Sequence, residues 1–197
     1  MKKLFLVITI LFVGVVGNSQ TQDEVIQMLN QTANSIQCMN CRFTQQRIMT
    51  ILTEPSVSEG IMSYNSPDHM RWEYTSPYSL AIVSDGDKVT KITDGIEEVL
   101  DKKSRKIYKG IENIIMGSAS GKNLFDKTVF DISIKDSGKF WVADLKPKQH
   151  NMKRMFYMLT IYCRKDNNTI NKVEITEGCG DITTIQFFDI KINDLCD

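Results

Sequence analysis

The stretch from Ser58 to Gly86, SEGIMSYNSPDHMRWEYTSPYSLAIVSDG, constrains this chain more than any other. Turn chemistry breaks it at Asn65-Ser66-Pro67-Asp68 and again at Thr75-Ser76-Pro77. The short runs between are rich in aromatic and β-branched residues, which predicts three consecutive antiparallel strands. Neighbouring residues of a strand face opposite ways, so Met70, Trp72 and Tyr74 share one face while Arg71 and Glu73 share the other. A regular turn puts Met62 and Tyr64 on the apolar side too. Such a sheet needs something to cover its apolar face, and that cover decides what the protein can do.

The rest of the chain supplies more strands and two candidate covers. Residues Asp23 to Ile36 carry a helical apolar stripe at Val25, Met28, Leu29, Thr32, Ala33 and Ile36, with Thr21 or Asp23 as a cap. From Met39 the period becomes two, and Cys41, Phe43, Gln45, Arg47, Met49 and Ile51 fall on one side of a long first strand. Leu80 and Ile82 point inward from the fourth strand. Turns at Asp85-Gly86-Asp87 and Thr93-Asp94-Gly95 lead into a fifth and a sixth. Ile107, Ile111, Ile114 and Ile115 then predict a second amphipathic helix from about Ser104 to Met116. Five further strands follow, Val129 to Lys135, Lys139 to Pro147, Arg154 to Arg164, Thr169 to Glu177 and Thr183 to Asn193. An eleven-stranded meander curls instead of staying flat. Two helices are too few to cover both its faces and suit a lid or plug over the concave one.

The first nineteen residues stand apart. A basic head at Lys2 and Lys3, an apolar core from Leu4 to Val16 and the small residues Gly17-Asn18-Ser19 read as a signal peptide. Residues 20–197 are then a single domain. No cysteine lies in or just after the apolar core, so a soluble protein of the periplasm without a lipid anchor is expected. Removing Lys2 and Lys3 from 24 basic residues leaves 22 against 24 acidic ones, no electrostatic footprint for nucleic acid. The basic clusters at Lys102 to Lys109 and Lys146 to Arg154 read as solvated loops and faces. Of five cysteines, Cys38 and Cys41 form a C-x-x-C that ends a helix, which favours a local disulfide over a redox site. Cys163 and Cys179 lie on successive predicted strands and pair if their registers match.

Catalytic signatures do not emerge. His69 and His150 are the only histidines, neither in a metal spacing, and there is no G-x-S-x-G or phosphate-binding loop. No enzyme, cofactor or metal site is expected. The inward list, Phe43, Met49, Met62, Tyr64, Met70, Trp72, Tyr74, Leu80 and Ile82, is instead long, soft and aromatic. A curved sheet of this extent encloses more volume than two short helices fill, and methionine adapts to variable guests.

Phe43-Thr44-Gln45, Glu59-Gly60, Pro67 with Met70 and Trp72, Val83-Ser84-Asp85-Gly86 and Leu145-Lys146-Pro147-Lys148 follow one another in an order that resembles the periplasmic outer-membrane lipoprotein carrier (LolA-like) family. The resemblance implies an α+β, mainly β fold, an incomplete antiparallel β-barrel of about eleven strands with a helical lid. It also implies a monomer that takes acylated lipoproteins from an inner-membrane ABC transporter complex and passes them to an outer-membrane lipoprotein receptor. The nine inward residues would then line an acyl-chain cavity that stays open to a guest. Val25, Leu29, Ile107, Ile111, Ile114 and Ile115 would close it. A carrier or sensor of another lipid on the same fold is the alternative. Ser66 stands where the family has a lid-latching arginine, and Arg71 has the wrong strand parity to replace it.

Overall fold

The computed structural model describes residues 20–101 and 124–194. The chain opens with helix α1 (Gln22–Asn34), started by a reciprocal capping box in which the Thr21 hydroxyl accepts from the Glu24 amide and the Glu24 carboxylate accepts from the Thr21 amide. Val25, Ile26, Leu29 and Ala33 form its buried stripe.

Six strands follow: β1 (Cys38–Ile48), β2 (Ser56–Asn65), β3 (His69–Ser76), β4 (Leu80–Asp85), β5 (Lys88–Thr93) and β6 (Ile96–Val99). Five more complete the sheet: β7 (Phe130–Ser137), β8 (Phe140–Pro147), β9 (Met158–Arg164), β10 (Ile170–Thr176) and β11 (Ile182–Ile192). The four-residue helix α2 (His150–Lys153) lies between β8 and β9. All eleven strands form one open antiparallel sheet in the order β6-β5-β4-β3-β2-β1-β11-β10-β9-β8-β7. The two halves of the chain therefore meet where β1 pairs with β11. Among the described residues the edge strands β6 and β7 are consecutive in sequence. Laid flat they would lie about 48 Å apart at ordinary strand spacing.

Registers match the alternation expected of the opening stretch. Met62 lies opposite Trp72, Tyr64 opposite Met70, Trp72 opposite Ile82 and Tyr74 opposite Leu80. The turns that set them contain cis Ser66-Pro67 and Ser76-Pro77 bonds. One core joins α1 to the inner face of both halves, including Phe43, Met62 and Trp72 on one side and Leu145, Leu159, Ile161, Val173 and Ile185 on the other. The outer face is polar: Arg71 Nε donates to Glu73 at 2.7 Å, and Tyr162 donates to Glu174 while Lys172 sits 3.7 Å from the Tyr162 ring centroid.

Three expectations are corrected here. Residues 154–157 are not strand; β9 begins at Met158, because Phe156 turns into the core out of phase with Leu159 and Ile161. Cys38 is disulfide-bonded, but Cys41 is a free thiol, so the C-x-x-C does not close on itself. Three residues along one extended strand separate the two by roughly 10 Å and put them on opposite faces, beyond disulfide reach. Cys163 and Cys179 are also free. Cys163 pairs with Ile170 at one end of β10, whereas Cys179 lies in the turn beyond its other end.

Candidate functional site

The inner face of β1 to β4 is built around an aromatic cluster. Phe43 stacks on Trp72 with centroids 3.9 Å apart, Tyr74 meets Phe43 edge-on at 5.5 Å, and Phe187 from β11 meets Trp72 at 6.3 Å. Gly60, opposite Phe43, makes that packing possible, since a Cβ there would lie 2.5 Å from Phe43 Cζ and 2.1 Å from the Glu73 carbonyl oxygen. Toward one end the face becomes polar. Tyr74 Oη donates to Gln45 Oε1 at 3.0 Å, and beyond it Arg47 binds Glu177 at 3.1 Å and Asp181 at 3.7 Å. Glu177, Cys179 and Asp181 form a potential ligand cluster, but Arg47 already supplies its positive charge.

Of the nine residues expected on the cavity wall, Phe43, Met62, Tyr64, Met70, Trp72 and Ile82 are buried on this face. Tyr74 and Leu80 are half-buried at its margin. Met49 is not on the wall: β1 ends at Ile48, and Met49 lies half-buried in the following turn, where its carbonyl accepts from the Leu52 amide. Val25 and Leu29, expected to close the cavity, lie on the buried stripe of α1. Ile107, Ile111, Ile114 and Ile115 lie outside the described residues, as does the signal-peptide stretch 1–19.

The structure adds a second half to the site. Between α1 and strands β1, β9, β10 and β11 is a void lined by Leu29, Ala33, Ile36, Cys41, Cys163 and Phe187 among others, with a volume of about 20 Å³. That is room for a single water and not for an acyl chain. Through Thr32, Ile36, Thr169, Phe187, Ile190 and Ile192 it shares its wall with an open groove of about 650 Å³ at the C-terminal end of α1. Burial pushes the Cys41 and Cys163 thiols up to about 12, so both are neutral around pH 7. Alternation at Leu159-Ile161-Cys163 and Ile185-Phe187 was the signal available for this half.

The void between α1 and the second half of the sheet is too small for an acyl chain. Aromatic side chains pack on one another, and α1 packs against the apolar face of the second half. An open antiparallel sheet with one continuous apolar face and an amphipathic helix seated on it defines the structural class of this chain.

Comparisons with known proteins agree with that class. Residues 34–197 match the family model described as outer membrane lipoprotein carrier protein LolA. An outer-membrane lipoprotein carrier protein of Legionella pneumophila (strain Corby) is 31% identical over 198 residues, covering 98% of this chain and 90% of the relative. One from Pseudomonas aeruginosa (strain UCBPP-PA14) is 26% identical over 173 residues, covering 87% and 79%. Among solved structures, MucB superposes with a TM-score of 0.53 at 10% identity, covering 89% of this chain and 60% of MucB. An uncharacterized conserved protein from Thermus thermophilus gives 0.52 at 7% identity, covering 90% of each. These two show the fold alone. The chain belongs to the LolA family of outer membrane lipoprotein carrier proteins. No helix among the described residues is long and apolar enough to cross a membrane.

Proposed function

We propose that this protein is a non-enzymatic carrier that binds the acyl chains of lipoproteins against the inner face of its sheet and moves them through the periplasm. The observation that supports this reading is the unbroken apolar face, which runs from Ile82 on β4 through Trp72, Met62 and Phe43 to Phe187, Val173, Ile161 and Leu145 on β8. Each acyl methylene withdrawn from water contributes roughly 0.8 kcal/mol. A guest of several chains therefore gains enough to displace α1 and the aromatic packing. A cover that competes with its guest also makes release to an acceptor feasible. An inner-membrane ABC transporter complex as donor and an outer-membrane lipoprotein receptor as acceptor complete the reading, with residues 1–19 removed on export.

Native mass spectrometry of the protein purified from cells that overproduce an outer-membrane lipoprotein tests it. A complex with triacylated protein is expected. A complex carrying only phospholipid or glycolipid would assign the same wall to another lipid. An empty protein under all conditions would contradict both.

A further inference from the structure

Most of the large apolar side chains left exposed gather at one end of the sheet. The turn between β1 and β2 presents Ile51, 85% exposed, and Leu52, 51% exposed, with Ile48 and Val57 at its base. The connection between β8 and β9 presents Met155, 41% exposed, and Tyr157, 55% exposed. Phe156 between them is buried and 6.5 Å from Phe130, which forces its two neighbours outward. The two segments are joined through β10 and its turn. The Tyr157 amide donates to the Thr176 carbonyl at 2.7 Å, and the next residue, Glu177, accepts from Arg47 at 3.1 Å. Asp181, at the far end of that turn, accepts from the Thr50 amide at 2.9 Å.

Charge follows the same side. From Leu145 to Tyr157 the chain contains no aspartate or glutamate but carries Lys146, Lys148, His150, Lys153 and Arg154. Lys148 pairs with Asp131, while Lys146, Lys153 and Arg154 have no ion pair among the described residues. Lys146 Nζ lies 5.8 Å from the Tyr157 ring centroid. Opposing charge at this end comes from Asp131, opposite Lys146 and paired with Lys148, from Asp126 near Lys148, from Glu54 on the turn, and from Glu177 and Asp181, which Arg47 holds.

We propose that this end docks on the surface of a bilayer containing anionic lipid, with Ile51 and Leu52 entering the interface and Lys146, Lys153 and Arg154 meeting the headgroups. A partner protein would complement a shaped pocket. Here two aliphatic side chains project from a turn, flanked by a tyrosine and flexible cations, the combination that a soft, anionic, amphipathic interface accepts. The surface lies outside the apolar inner face, so the inference does not depend on which cargo the protein carries.

Co-sedimentation of the purified protein with vesicles of phosphatidylethanolamine and phosphatidylglycerol, against vesicles of phosphatidylcholine alone, tests it. Binding to the anionic vesicles that weakens as salt is raised is expected. Ile51→Asp with Leu52→Asp should weaken it by about tenfold or more, and Lys153→Gln with Arg154→Gln by about fivefold per charge removed. All four side chains are exposed, so thermal unfolding of both double variants should match the parent and separate lost docking from lost folding. Absence of wild-type binding to the anionic vesicles at low salt overturns the proposal. Binding that both double variants retain in full overturns it equally.

Discussion

The ring of Phe43 lies on the indole of Trp72, centroids 3.9 Å and planes 26° apart, in space that only a glycine at position 60 leaves free. This contact ties β1 to β3 across β2 and fixes the centre of the apolar face.

Gly60→Ala should destabilise the protein by about 3 kcal/mol, the upper end of what overpacking costs. Its Cβ meets the Glu73 carbonyl oxygen, which cannot rotate away as a flexible side chain can. Combining it with Phe43→Leu should cost less than the two changes summed, because both act on one contact. Urea unfolding of the two single variants and the pair reads both terms.

Thiol reactivity checks the cysteine assignment. At pH 8, Cys179, which is exposed, should react with a maleimide, while Cys41 and Cys163, buried and held at about 12, should not. Unfolding without reductant should release those two, and Cys38 should label only after reduction. Peptide mapping distinguishes the four.

Asn193 clasps the junction of α1 and β1 to the end of β11. Its side-chain oxygen accepts from the amides of Gln37 at 2.7 Å and Cys38 at 3.2 Å, and its amide nitrogen donates to the Ser35 carbonyl at 3.0 Å. Asn193→Ala should cost about 1–3 kcal/mol in hydrogen bonds, with an added penalty for alanine at a φ of 55°. Asn193→Gly removes the bonds without that penalty, so the difference between the two melting temperatures isolates the backbone contribution.

Asp144 sets a pH dependence. Partial burial pushes its carboxyl up, but hydrogen bonds from Lys135 and Thr160, aided by the charges of Lys135 and Lys146, outweigh that and hold it below the usual carboxylate range. A folded-state value lower than the unfolded one means its stabilisation is present above roughly pH 4. It is lost as pH falls through the lower folded value. Asp144→Asn should flatten the stability profile below pH 4 and lower stability at pH 7, as acid and urea titrations would show.

How much of this could be read from the residues differs between the halves of the sheet. In the first half, prolines and Asn/Asp/Ser turns bound each run, so the register of Met62 with Trp72 and of Trp72 with Ile82 follows from alternation alone. In the second, Leu159, Ile161, Ile185 and Phe187 alternate as clearly, but nothing local says that β11 returns to pair with β1, which makes them part of the same wall. The start of β9 is hard to read because 154–157 looks strand-like. Only the parity slip between Phe156 and Leu159 marks the break. The opposite facing of Cys38 and Cys41 follows from their spacing once both lie on β1, whereas the separation of Cys163 from Cys179 depends on the long-range register of β10, which spacing does not show. Alternation identifies which side chains point inward and not whether they stack on one another, as Phe43 and Trp72 do, or on a guest.

Trp72 provides the most direct test of the wall. With Trp141→Phe as background, Trp72 is the one remaining tryptophan of the two in the chain. Titration with a triacylated lipopeptide brominated along its acyl chains should quench its fluorescence in step with binding, as α1 yields and bromine reaches the indole. Binding of that lipopeptide, measured separately, with Trp72 emission unchanged would contradict the placement of acyl chains on this face.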